Sequence, residues 1–305
     1  MGPSGIGKTT LYKYNLIMNI KRHIKKIISN KFSNNKIGFA DLRGLSDNPL
    51  ELIKRISGIP FIINVPIHKL RAPATHAFIP QQDSIHPFIL TAREILKGKT
   101  EYEGSVLQKF YQLYQPKTAA ENLGVEFVGE PYLDCHPLDF SFPWKEIPDL
   151  KNRIKKYQML TKEYKEIGVN IKDNTGWKFF GPEYRDVGKT EFFRIEECLK
   201  SIKSNGYIRN NDKDGDIDGE LLIDNDEWVL RIRTGQHRVC ALAALGYEAV
   251  TIRISEKKKD HIYRNEVEKW PPVKEKYIKV ETAIKIFDRI FMGVQPGELS
   301  KVWNK

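Results

Sequence analysis

Between Glu220 and Ile254 the hydrophobic period changes repeatedly, and this stretch limits the architecture more than any other. Trp228, Leu230 and Ile232 alternate with Val229, Arg231 and Arg233, which is the period of two that a strand imposes. The turn Asp224-Asn225-Asp226 joins that run to Glu220–Ile223 and predicts a hairpin. After Thr234-Gly235-Gln236-His237-Arg238 the pattern becomes a small-residue helix over Val239–Leu245, stopped by Gly246, and Ala249–Ile254 returns as a strand. Upstream, Ile195, Leu199 and Ile202 at i, i+4 and i+7 predict a helix over Glu191–Ser204, closed by Asn205-Gly206. The expected fold class is α+β.

A strand that runs through a glycine turn into a helix points unpaired amides and the positive end of the helix dipole at one place, a geometry suited to anions. Gly235 permits close backbone approach, Arg238 adds a planar fork for phosphate oxygens, and His237 can donate a hydrogen bond or move a proton. Glu191-x-x-Arg194, then Ser201–Tyr207, then Gly235-Gln236-His237-Arg238-Val239-Cys240-Ala241 and Leu245-Gly246 resemble, in that order, the ParB/sulfiredoxin-like superfamily over residues 183–256.

That resemblance implies nucleotide phosphates at Gly235, Gln236, His237 and Arg238, with Arg194 beside them and Glu191 or Glu196 serving with His237 in catalysis. Sulfiredoxins carry a reactive cysteine between the glycine and the histidine. Gln236 stands there instead, so sulfinic-acid reduction is not expected, and Cys240 reads as a packed thiol. Chromosome-partition ParB proteins bind CTP and continue into a DNA-reading helix-turn-helix; here residues 257–305 follow, interrupted by Trp270-Pro271-Pro272, and that module is not expected. Free-serine kinases pair an acid with a histidine at the turn, which His237 and Glu191 or Glu196 match, but Thr234 replaces their aspartate. The plain alternatives are an ion pair from Arg238 to Glu191 or Glu196, and a dipole-favoured helix charge at Glu191.

A second phosphate motif lies at the N-terminus, where Gly2-Pro3-Ser4-Gly5-Ile6-Gly7-Lys8-Thr9 fits G-x-x-x-x-G-K-[ST]. Gly7, Lys8 and Thr9 are candidate phosphate and magnesium contacts, although only Met1 precedes the loop where a supporting strand is expected. Lys36–Arg43 reads as a short strand ending near Asp41, and the opening resembles a small-molecule kinase. The chain of 305 residues carries a formal charge of +11. Residues 1–60 hold 11 basic and 3 acidic side chains and residues 256–305 hold 12 and 8, so the excess belongs to the two ends. In the first segment Lys21, Arg22, Lys25 and Lys26 read as the solvated face of a helix whose apolar face is Ile17, Ile20, Ile24, Ile27 and Ile28, or as a footprint for a phosphate-rich partner.

Between residues 61 and 182, proline-bounded turns separate expected helices at Pro87–Lys97, Ser105–Tyr114 and Leu150–Ile167. His68, His76, His86 and His136 show no pairing at ligand spacing and read as surface or hydrogen-bonded side chains; Cys135, Cys198 and Cys240 fit neither a zinc site nor a disulfide framework. Asp212, Asp214, Asp216, Asp218 and Gly219 echo a calcium loop, but its twelfth position is Asn225, so an exposed acidic turn is expected. Val280, Ile284, Phe287, Ile290 and Phe291 predict a packing helix in the tail.

The organisation expected is therefore a basic segment over 1–60, an α+β region over 61–182, the nucleotide-binding domain over 183–256 and a helical tail over 257–305. The leading expectation is ATP, ADP or CTP bound with Mg²⁺, and phosphoryl transfer to an unknown small-molecule acceptor or nucleotide hydrolysis. The alternative is a non-catalytic nucleotide-gated or nucleic-acid-associated module. Phe61–Ile67, the longest uncharged apolar run, is too short for a membrane span, and with no secretory signal the expected location is cytoplasmic.

Overall fold

The computed structural model describes residues 39–302, apart from 57, 127–128, 172–176, 183–184 and 210–214. Gly7, Lys8, Thr9 and the basic helix expected around Ile17–Ile28 lie outside the described residues.

The protein is α+β, built on one mixed sheet of seven strands: β1 (Ala40–Asp41), β2 (Phe61–Pro66), β3 (Leu70–Arg71), β4 (Asp218–Asp224), β5 (Glu227–Thr234), β6 (Ala249–Ile254) and β7 (His261–Tyr263). Their spatial order is β1-β2-β6-β4-β5-β3, with β7 also on β4. The expected hairpin is β4–β5, turning at Asn225 with φ 53°, a conformation asparagine tolerates. Strand β6 meets β4 only where Asp218 faces Arg253, and β7 takes over that edge from Leu221 onward. Because β2 lies antiparallel to β6 and β3 parallel to β5, the sheet draws on residues from 40 to 263. The segment boundaries expected at residues 60, 182 and 256 therefore cut across the sheet. One core joins Leu42, Phe61, Phe110, Ile195, Ile252 and Val302, which fall in all four expected segments.

Ten helices complete the described fold: α1 (Pro49–Arg55), α2 (Pro87–Leu96), α3 (Val106–Leu113), α4 (Ala119–Leu123), α5 (Leu150–Lys165), α6 (Arg185–Asn205), α7 (Gln236–Ala244), α8 (Pro271–Lys274), α9 (Val280–Met292) and α10 (Gly297–Val302). Helix α7 is buried along most of its length through Val239–Ala244 and lies between α2 and α6, where its alanines allow close approach. These helices cover one sheet face, formed by alternate residues such as Ile63, Leu230 and Ile252. On the opposite face Leu222, Val229 and Ile262 pack with Trp144, Trp270 and the α9 side chains Ile286, Phe287 and Ile290. No helix among the described residues is long and apolar enough to cross a membrane.

Local chemistry sets the helix starts. Pro87 occupies the first turn of α2, and the His86 ring nitrogen Nδ1 accepts from the Phe88 amide at 3.1 Å. Ser105 Oγ accepts from the Gln108 amide at 3.2 Å at the start of α3. Changing this buried serine to alanine removes the cap and is expected to lower stability by about 1 kcal/mol; denaturant unfolding with an unchanged midpoint contradicts that role. Helix α6 begins earlier than Glu191, through Val187 and Gly188. A Cβ on Gly188 would come within 2.3 Å of the Tyr102 hydroxyl, so glycine serves contact with Tyr102 there and does not stop the helix.

One charged cluster is buried on the second sheet face. Glu220 and Arg231 face each other across β4 and β5, with Arg231 Nη2 2.7 Å from Glu220 Oε2. Trp144 Nε1 donates to the same oxygen at 3.3 Å, Lys145 pairs with Oε1, and the Arg231 guanidinium lies 4.0 Å from the Phe142 ring centre.

Candidate functional site

Helix α7 opens at Gly235, whose φ of 81° and ψ of 22° place it in the left-handed region. A Cβ there would fall 2.7 Å from Ile217 Cγ1. The first helical bond runs from the Val239 amide to the Gly235 carbonyl at 3.0 Å, so the amides of Gln236, His237 and Arg238 have no carbonyl within the helix, and the N-cap residue, a glycine, has no side chain to cap them. They lie at a cleft of about 560 Å³ between the turn and α6, lined also by Phe193, Arg194, Glu197, Glu163 and Lys178. A second lobe of about 480 Å³ continues along α6 past Asn205, Tyr207 and Ile208, and shares Glu197, Cys198 and Arg238 with the first.

Beneath the turn Glu191 is completely buried and both of its oxygens are engaged. Oε2 lies 2.8 Å from His237 Nε2; Oε1 accepts from the Tyr164 hydroxyl and, at 2.9 Å, from Arg194 Nη1. Burial opposes ionisation of this carboxyl, yet the charge and hydrogen bond of His237, with the charges of Lys178 and Arg194, hold it down at about 2. Arg194 also reaches Glu163 at 2.7 Å, and Lys178 pairs with Glu163 at 3.2 Å. The His237 ring stacks on Phe88 with centroids 5.4 Å apart. An ionised carboxylate, an oriented imidazole and helix amides without an intrahelical carbonyl thus meet at one turn.

Comparison with protein-family models, with curated proteins and with solved structures gives no match. The site therefore stands on its own residues.

The structure brings Gly235, Gln236, His237, Arg238 and Arg194 together on the cleft and Glu191 beneath it. Glu191 is enclosed by His237, Tyr164 and Arg194 and does not itself line the cleft. Glu196 does not line the cleft; it pairs with Lys200 at 3.1 Å, while the next residue, Glu197, faces the cleft. The plain alternative for Arg238 places it on a carboxylate of α6. It directs Nη1 to the Gly215 carbonyl at 2.9 Å instead.

Gln236 is buried at the cleft wall, and among the described residues neither its Nε2 nor the buried Tyr207 hydroxyl in the second lobe has a partner. Cys240 is buried, and burial pushes its thiol upward. His76 and His86 are buried and not at the surface: His76 sits among the rings of Phe78, Phe110, Tyr114 and Phe179, and burial pushes His86 down to about 3. Of the acidic run, Asp212 and Asp214 lie outside the described residues, while Asp216 is pinned by Arg209 and Asp218 by Arg233 at 3.1 Å, so these two are less exposed than expected. Among the described residues no group of three histidine, cysteine or acidic side chains could hold a metal ion.

Glu163, Tyr164, Lys178, Glu197 and Cys198 carry no motif in the sequence. Tyr164 shows there only as an apolar position of an amphipathic helix, and its hydroxyl contact depends on how α5 crosses α6.

Proposed function

We propose that the Gly235–Arg238 turn binds the phosphates of ATP, ADP or CTP and that His237 moves the proton in phosphoryl transfer to a small acceptor or to water. The observation that carries this reading is the α7 N-terminus, opened by left-handed Gly235 with no N-cap side chain, with Arg238 and the Glu191-held His237 on the same turn of a cleft. Backbone amides there give charge-compatible donors without a side-chain cation for every oxygen. The ordered resemblance to the ParB/sulfiredoxin-like superfamily supports the same ligand class. So do the unpartnered Gln236 amide and Tyr207 hydroxyl, one in each lobe.

A nucleotide laid along the groove puts its phosphates at Gly235 and its base and sugar in the lobe of Tyr207 and Ile208. Mg²⁺ fits as an ion carried mainly by phosphate oxygens and water, with Glu163 and Glu197 the cleft carboxylates that could assist. Catalysis is then chiefly positioning and charge neutralisation.

The test is binding of ATP, ADP, CTP and GTP with and without Mg²⁺. Arg238→Ala is expected to weaken binding by roughly 10- to 100-fold, the loss of one charge-assisted contact. Loss only in Lys8→Ala moves the site to the N-terminal motif. A non-catalytic nucleotide-gated module is favoured by the complete engagement of Glu191, which leaves it no role as a base. Absence of turnover at saturating nucleotide selects that reading.

A further inference from the structure

The exposed crest of α5 carries a row of lysines that the cleft does not use. At 100° per residue, Lys151, Lys155, Lys162 and Lys165 fall within an arc of about 80°, and they span roughly 21 Å along the helix axis. All four are exposed, and none makes an ion pair among the described residues. The opposite face is anchored by buried Leu160 and Tyr164. The other basic residues of α5 have structural partners: Arg153 pairs with Asp139 at 3.1 Å, and Lys156 reaches the Leu138 carbonyl, Ser141 and Glu146 at 2.8–2.9 Å. The only other residue at the centre of this arc is Gln158, and Glu166 lies to one side just beyond the last turn.

We infer that the α5 crest is a docking surface for a nucleic-acid backbone. A polymer with one charge per ~1.7 Å of duplex axis presents phosphates along the whole row and needs no pocket. Two other occupants fit less well. An interfacial membrane helix centres its apolar side chains on the exposed face, whereas here Ile154 and Met159, 47% and 62% exposed, lie to either side of the lysines. A folded acidic partner uses buried aromatic or arginine anchors at the centre of its interface, and the crest offers none. The patch sits within residues 61–255, whose 27 basic and 28 acidic side chains nearly cancel, so the overall charge does not reveal it. The inference is independent of nucleotide binding in the cleft.

The test is fluorescence anisotropy of a labelled 20-base-pair DNA duplex with the full chain, between about 50 and 200 mM salt, the range over which phosphate contacts weaken steeply. Combining Lys151→Gln, Lys155→Gln, Lys162→Gln and Lys165→Gln is expected to reduce the slope of log affinity against log salt by about 3 to 4, close to 0.9 per lysine. Single Lys151→Gln and Lys162→Gln proteins are expected to lose about 0.9 each, so the result does not depend on folding of the combined variant. Arg238→Ala is expected to keep the wild-type slope. An unchanged slope in the lysine variants overturns the inference, because residual binding then comes from the basic N-terminal segment. Equal displacement of the duplex by polyglutamate at matched charge overturns the choice of nucleic acid. Lysine-dependent binding to anionic vesicles with an unchanged DNA slope does so as well.

Discussion

Replacing Glu191 by glutamine is expected to make the fold less sensitive to acid between pH 5 and pH 2. The carboxyl titrates at about 2 in the folded protein against 4.5 ordinarily. A depressed folded value means that the contribution is complete above 4.5 and is lost as pH falls through 2. The difference corresponds to about 3 kcal/mol. Wild-type unfolding free energy, followed by denaturant titration, should fall by about that much more than the variant's over this range. Parallel pH profiles for the two proteins would sink the idea that Glu191 is the buried anion of the site. The same substitution turns a charged acceptor for His237 into a neutral one. If His237 moves the proton, His237→Gln should lower turnover by roughly 10²- to 10⁴-fold. Glu191→Gln should reproduce much of that loss with a smaller effect on nucleotide affinity, passed through Arg194, which the carboxylate also holds. Equal turnover in the two single variants and wild type removes the proton-transfer role.

A comparable loss is expected from Glu220→Leu, for a different reason. Arg231 is fully buried beside it, and burial with the nearby charge of Arg233 already pushes this guanidinium down to about 9. Removing the carboxylate strands that charge in the core and should cost about 3–5 kcal/mol. The double variant Glu220→Leu, Arg231→Met should recover most of the loss, because two packed apolar side chains often match a buried pair. Lys145, whose side chain is 35% exposed, can turn to water in both variants. Chemical denaturation of the two single variants and the double variant decides the matter. A double variant as unstable as Glu220→Leu alone shows that the pair contributes through its specific hydrogen bonds, including the one from Trp144.

The hairpin, the strand Ala249–Ile254 and the helices after Pro87, Ser105 and Asp149 are legible in the sequence because each has a local cause. These causes are alternation along β5, proline at an N-terminus, and a capping side chain three residues or fewer from its target. The turn at Gly235 is legible for the same reason. What it faces is not. Tyr164 and Glu163 reach the site because α5 packs against α6, Lys178 arrives from the segment between the two helices, and no spacing in the chain encodes that arrangement. Glu196 and Glu197 illustrate the limit: both are plausible acids one position apart, and only the rotation of α6 against the turn decides which meets the cleft. The mixed sheet is hidden likewise, since β2 alone is an apolar run with no mark of its distant partner.

The pairing of β2 with β6 bears on how the chain is made. Thr251 Oγ1 donates to Asn64 Oδ1 across 187 positions, and the whole of β2 depends on that late partner. At a synthesis rate of about 5–20 residues per second, the first strands wait roughly 10–40 s for β6 to be added. During that interval Phe61–Val65 is an uncovered apolar edge on a nascent chain, the kind of segment that chaperones hold. Truncation anywhere before residue 249 leaves this edge permanently open, so fragments ending there are expected to aggregate where the full chain does not.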